Sequence, residues 1–176
     1  MKHFAPLSAL ASSVALSFVL ATAALAAPPQ TAGVIDQHGF RLVNTQRSVA
    51  FGESQADVIA HVSGVFGSPP TLSQEQCRTG ALAQADWGKG LKLSFQDGKL
   101  VGWTADPRLE GTYGNRAGTV FGRTVAALRA ANPGFMLMDA VKGREFALDG
   151  VYGRVLRSGQ DATIDLLWAG AGCYRR

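Results

Sequence analysis

The residues with a claim on chemistry are few: His38 and His61, Cys77 and Cys173, Ser54, and the acids Glu145, Asp149, Asp161 and Asp165. Two carboxylates brought together would serve as general acid and base, and these four fall on neighbouring expected strands and turns. Asp149 and Asp161 sit at glycine-containing turns, where aspartate is favoured for its own backbone hydrogen bonding. His61 lies beside an apolar helical stripe, with no orienting carboxylate and nucleophile patterned around it. Two distant histidines and two distant cysteines do not make a zinc spacing. Gly52-Glu53-Ser54-Gln55-Ala56 lacks the last glycine of a nucleophile elbow, so Ser54 reads as a helix cap. Gly111, Gly114 and Gly118 do not match the dinucleotide fingerprint and read as a turn between repeats. No cofactor and no metal is expected.

The elements that would position these residues are announced by a repeated phrase. Phe51-Gly52-Glu53-Ser54-Gln55-Ala56-Asp57-Val58-Ile59-Ala60 recurs in the second half of the chain as Phe121-Gly122-Arg123-Thr124-Val125-Ala126-Ala127-Leu128-Arg129-Ala130. In each copy a hydroxyl residue, Ser54 or Thr124, caps the amides of the turn that follows. Val58, Val62 and Phe66 then recur at helical spacing, and Val125, Leu128 and Ala131 do so in the second copy. Gly64, Gly67, Pro69 and Pro70 end the first helix, and Asn132-Pro133-Gly134 ends the second. Leu91, Leu93 and Phe95 alternate with Lys92, Ser94 and Gln96, and Asp97-Gly98 turns the chain into Lys99 to Trp103, a hairpin. Residues 145–148, 151–157 and 162–168 read as a three-stranded meander, residues 76–82 as one further strand, and residues 40–43 as a short one.

The expected fold class is therefore α+β: two tandem repeats, each a short helix packed on antiparallel strands. The expected division is a signal peptide over 1–26, a flexible lead over 27–39, one repeat over 40–106 and another over 107–176, the repeats forming one compact unit. Lys2, the apolar run from Leu7 to Leu20 and Ala24-Leu25-Ala26 carry the signal-peptide reading. The alternative is an uncleaved anchor, which so much alanine and serine makes a weak spanner. Cleavage would remove one basic residue, Lys2, and leave 16 basic against 13 acidic side chains, scattered almost entirely singly, with no nucleic-acid footprint.

Export places the protein in the periplasm or the secreted fraction. There Cys77 and Cys173, one in each half, would form a disulfide, the alternative being two buried thiols.

The Phe-Gly-x-[Ser/Thr]-x-x-x-[Val/Leu] phrase, followed by Gly and Pro and then a hairpin with Asp-Gly, resembles the repeat of the β-lactamase inhibitor protein and of the small outer-membrane-assembly lipoproteins of the BamE type. The resemblance covers the phrase itself in each repeat and the hairpin more loosely, and it implies a protein that works by binding other proteins. The chain departs from the inhibitor in having one cysteine per repeat, and from the lipoproteins in lacking the acylated cysteine. Neither family's contact residues fall on the motif.

The expectation is a non-enzymatic module that binds another envelope or extracellular protein, the alternative being a small hydrolase or wall-binding domain using the strand carboxylates. Aromatic and arginine side chains near glycine-rich corners are the anchors such a module uses, and Trp87, Tyr113 and Arg116 are expected exposed in that role.

Overall fold

The computed structural model describes residues 32–77, 80–115, 118–119, 121–140, 143–156, 159 and 161–173. The signal-peptide segment and Arg116 lie outside the described residues.

The expected hairpin is present as β6 (Leu91–Gln96) and β7 (Lys99–Ala105). Asp97 at φ 50° and Gly98 at φ 70° supply the two left-handed residues that a two-residue turn matched to strand twist requires. A register shift between Ser94 and Phe95 bends the ladder.

Both helix starts stand where the repeated phrase puts them. In α1 (Gln55–Phe66) the Ser54 hydroxyl accepts the Asp57 N–H at 3.2 Å, and Gly67 at φ 69° closes the far end. In α2 (Val125–Ala131) the Thr124 hydroxyl accepts the Ala127 N–H at 3.1 Å. Each start is also tied to a neighbouring main chain: the Gln55 N–H donates to the Gly98 carbonyl, and the Val125 N–H to the Ala162 carbonyl. Val58 and Val62 bury the face of α1, Val125 and Leu128 that of α2, while Ala131 is exposed.

The architecture corrects the expected fold class. The described residues hold two helices, of 12 and 7 residues, against twelve strands, so the protein is mostly β rather than a pair of helix-on-strand repeats. β4 (Thr71–Cys77), β5 (Gly80–Asp86), β6 and β7 form one half of an antiparallel sheet. β9 (Met138–Ala140), β10 (Gly143–Leu148), β11 (Val151–Val155) and β12 (Leu166–Gly170) form the other half. β12 pairs with β7, from Leu167 opposite Ala105 to Gly170 opposite Gly102, so both halves merge into one eight-stranded sheet in the order β4-β5-β6-β7-β12-β11-β10-β9. A second sheet is built from β1 (Gly33–Asp36), β2 (Gly39–Arg41), β3 (Val49–Ala50) and β8 (Tyr113–Gly114), in the order β3-β2-β1-β8 with β1 and β8 parallel.

Three local expectations change with it. Residues 33–36 of the expected flexible lead are strand β1, because Ile35 is buried in the common core. The single strand expected over 76–82 is two strands, β4 and β5, which reverse so that Cys77 faces Gly80. In the expected meander, residues 162–165 precede β12 rather than belonging to it.

One core lies between the two sheets. It joins Ile35, Phe40 and Leu42 from the small sheet side, the buried valines of α1, Val125 and Leu128 of α2, and Leu93, Trp103, Phe146 and Leu167 from the large sheet. The Trp103 indole donates to the Asp36 carbonyl at 2.9 Å, satisfying its one polar atom and pinning the small sheet to the large. Side chains alternate along a strand, so the large sheet has a second, outer face turned away from this core. Leu82 and Trp168 are buried there, outside the core cluster.

Candidate functional site: the outer face of the large sheet

Strand register defines the outer face row by row. One row runs Asp86, Lys92, Thr104, Trp168, Tyr152, Ala147 across six strands. The next runs Leu166, Arg154, Glu145, Met138.

After Gly170 the chain turns over this face. The Ala171 N–H donates to the Val101 carbonyl at 2.8 Å, and a side chain on Gly102 would strike the Ala171 main chain. Cys173 then bridges to Cys77 at the edge strand β4, with the two Cα atoms 5.0 Å apart. The disulfide expected from the sequence is thus present, and it spans a sequence separation of 96 residues.

Beside this crossing lies a polar trough of about 260 Å³ on the β4–β7 part of the face. Lys92 stands 3.5 Å from Asp86, and Arg108 forks onto Asp106 at 2.6 Å. The Arg108 hydrogen bond holds the Asp106 carboxyl below its usual range, against the opposing effect of burial. The Gln84 Nε2 donates to Glu75 at 3.3 Å, and its buried Oε1 has no partner. Glu75 also approaches Cys77 and Cys173, all ligand atoms lying within 4.8 Å. The two sulfurs are bonded to each other, leaving the carboxylate as the only free ligand of that trio.

The β9–β12 part of the face has a different character. Tyr152 stacks on Trp168 with centroids 5.8 Å apart and planes inclined by 15°. Arg154 forks onto Asp165, with its closest contact at 2.6 Å, and stands opposite Glu145 in register. Met136 and Met138 are 72% and 53% exposed, and Leu156, just after β11, is 61% exposed.

The residues singled out from the sequence fare differently. Trp87 and Tyr113, expected exposed, are 7% and 5% accessible and belong to the core cluster, because each packs against an element remote in sequence. Trp87 meets Phe66 of α1 edge to face at 6.1 Å. Burial pushes the Tyr113 phenol pKa up, against a hydrogen bond from the Val43 main chain.

Tyr113 forms one wall of a groove of about 420 Å³ that also takes in Val65, Phe66 and Lys89. The Lys89 ammonium donates to the Phe66 carbonyl at the end of α1 and lies 5.7 Å from the centre of that ring. A cation at a helix C-terminus and over an aromatic face is doubly favoured.

Of the four carboxylates, one lines a described cavity. Asp149, at φ 50° in its turn, lines a third cavity with Asp36 and His38, and neither this cavity nor the two above is lined by two of the four. Asp165 is engaged by Arg154. His61 is half-buried, with Nε2 unpartnered, and burial together with nearby Arg47 lowers its pKa.

Sequence reasoning missed Gln84, Glu75 and the Tyr152–Trp168 stack. For Tyr152 and Arg154 a signal existed: they alternate with Val151, Gly153 and Val155, which marks them as the side facing away from the core.

No helix among the described residues is long and apolar enough to cross a membrane. No known family description, curated protein or solved structure matches the chain.

Proposed function

We propose that this chain is an exported, non-enzymatic module that binds another protein of the bacterial cell envelope or the secreted fraction, and that it does so through the outer face of the eight-stranded sheet. One observation carries the reading. In the row beside the Tyr152–Trp168 stack stand Arg154, forked onto Asp165, and at its far end the exposed Met138, while Met136 just before β9 and Leu156 just after β11 are exposed as well. Tyr, Trp, Met and Arg are the residue types enriched at protein interfaces. Three of the five large exposed apolar side chains among the described residues lie in or within two residues of β9 and β11.

The disulfide supports residence in an oxidising compartment. The sequence resemblance to envelope and secreted binding proteins points the same way. The hydrolase alternative has less support: Asp149 sits in a turn, Asp165 pairs with Arg154, and none of the three cavities described is lined by two of its carboxylates.

The test is comparative capture from periplasmic extract and culture medium, using the native chain and a Met138→Glu/Leu156→Glu variant. Both substitutions are at exposed positions and leave the core untouched. A partner retained by the native chain and lost from the variant is expected. Identical captured sets from the two proteins would remove this face from consideration.

A further inference from the structure

The trough at the β4 end of the outer face has an unmet demand for hydrogen-bond donors. Gln84 is 5% exposed, and its Oε1 is buried without a partner. Chemistry fixes the amide's orientation. Nε2 donates to the Glu75 carboxylate at 3.3 Å. Turning the amide over would set its oxygen against that carboxylate. Glu75, half-buried beside the disulfide, forms no ion pair among the described residues. Glu75 and Gln84, on diagonal positions of paired strands, therefore line the same trough, and among the described residues the carboxylate has no ion-pair partner and the amide oxygen no hydrogen-bond donor.

The cations lining the trough are committed elsewhere. Lys92 faces Asp86, and Arg108 forks onto Asp106. A hard divalent ion is a poor fit: Asp86 and Asp106, which also line the trough, are neutralised by Lys92 and Arg108, and Glu75 and Gln84 add one carboxylate and one amide oxygen where calcium takes about six to eight oxygens. The neighbouring sulfurs are tied in the disulfide. A group that carries donors only, and a positive charge, meets the demand. The planar guanidinium suits it best, since its fork can address a carboxylate and an adjacent carbonyl together.

We propose that the trough seats one arginine side chain of the bound protein, with Glu75 and Gln84 as its acceptors. The proposal rests on the protein-binding reading only for the owner of the arginine. The site itself is defined by this chain.

The test needs no partner. The full exported chain is titrated with N-acetyl-arginine methylamide and, as the neutral isostere, N-acetyl-citrulline methylamide, while side-chain and backbone amide resonances are followed by NMR. Saturable shifts centred on the Gln84 side-chain amide are expected with the arginine probe alone. Glu75→Gln, which keeps the donor–acceptor shape and removes the charge, should weaken binding about tenfold. Gln84→Leu should weaken it as well, with the native fold verified from the remaining resonances.

Absence of saturable shifts, equal binding of citrulline, or unchanged binding by Glu75→Gln would each overturn the proposal. Tighter binding by a variant lacking residues 174–176, which include Arg175 and Arg176, would also overturn it by assigning the trough to the chain's own terminus. Failure here leaves the capture experiment at Met138 and Leu156 intact, so the two readings fall separately.

Discussion

Trp87 donates its indole N–H to the Ser63 hydroxyl at 3.2 Å, joining the end of β5 to α1 across a sequence separation of 24. That bond satisfies the one polar atom of a side chain otherwise buried against Phe66. Trp87 is thus part of the framework that holds the helix on the sheet.

The first prediction concerns this contact. Trp87→Ala should destabilise the fold by about 3 to 5 kcal/mol through lost burial and a cavity. Trp87→Phe should cost about 1 kcal/mol, most of it the hydrogen bond to Ser63. Urea midpoints read both. A Trp87→Ala protein as stable as the native one would return Trp87 to the surface role the sequence suggested.

The second concerns the disulfide. Cys77→Ala/Cys173→Ala should lose about 4 kcal/mol, since the bridge closes a long loop in the unfolded chain. The native protein's intact mass under non-reducing conditions should be two hydrogens below the dithiol value. Ready alkylation of both cysteines in the untreated folded protein would show the bridge to be absent in solution.

The third concerns pH. Burial first, and Arg47 second, hold the His61 imidazole below 6.5, with Glu53 opposing them. The folded state therefore binds the proton more weakly than the unfolded chain does. Stability from this group is whole above pH 6.5 and is lost as pH falls from there through the lower, folded-state pKa.

Glu53 adds a separate loss at lower pH. Burial raises its pKa, but the Ala50 N–H and Arg47 outweigh that and bring it below 4.5. Its contribution is present above 4.5 and disappears as the carboxyl protonates.

Between about pH 7.5 and about pH 5.5, native stability should fall while His61→Leu stays level. Equal slopes for the two proteins would assign the pH dependence to other groups.

Some of this protein was written in short stretches of chain. The Ser54 and Thr124 caps, the glycine stop at Gly67 and the Asp97-Gly98 turn each depend on residues within a few positions of one another, and each stands where the sequence placed it. Cys77 with Cys173 was legible for another reason: with two cysteines there is a single possible pair, and covalent chemistry supplies the long-range information.

Other features were illegible for a physical reason. The edge strand β4 reads Thr-Leu-Ser-Gln-Glu-Gln-Cys and is largely exposed, so no alternation of apolar residues betrays it; its partner β5 holds it. Gly33 to Asp36 looks like loop until Ile35 meets the core of the large sheet.

By itself the sequence determined where the helices begin, where the central hairpin turns and which cysteines join, because those outcomes depend on local backbone preference or on a bond with one possible partner. The tertiary structure alone decided that β7 and β12 pair to make one large sheet, that Trp87 and Tyr113 are buried, and that Glu75 and Gln84 share a trough. Those outcomes depend on which side chains meet after the chain has closed on itself, and desolvation and pairing between distant segments are properties of the meeting, not of either segment.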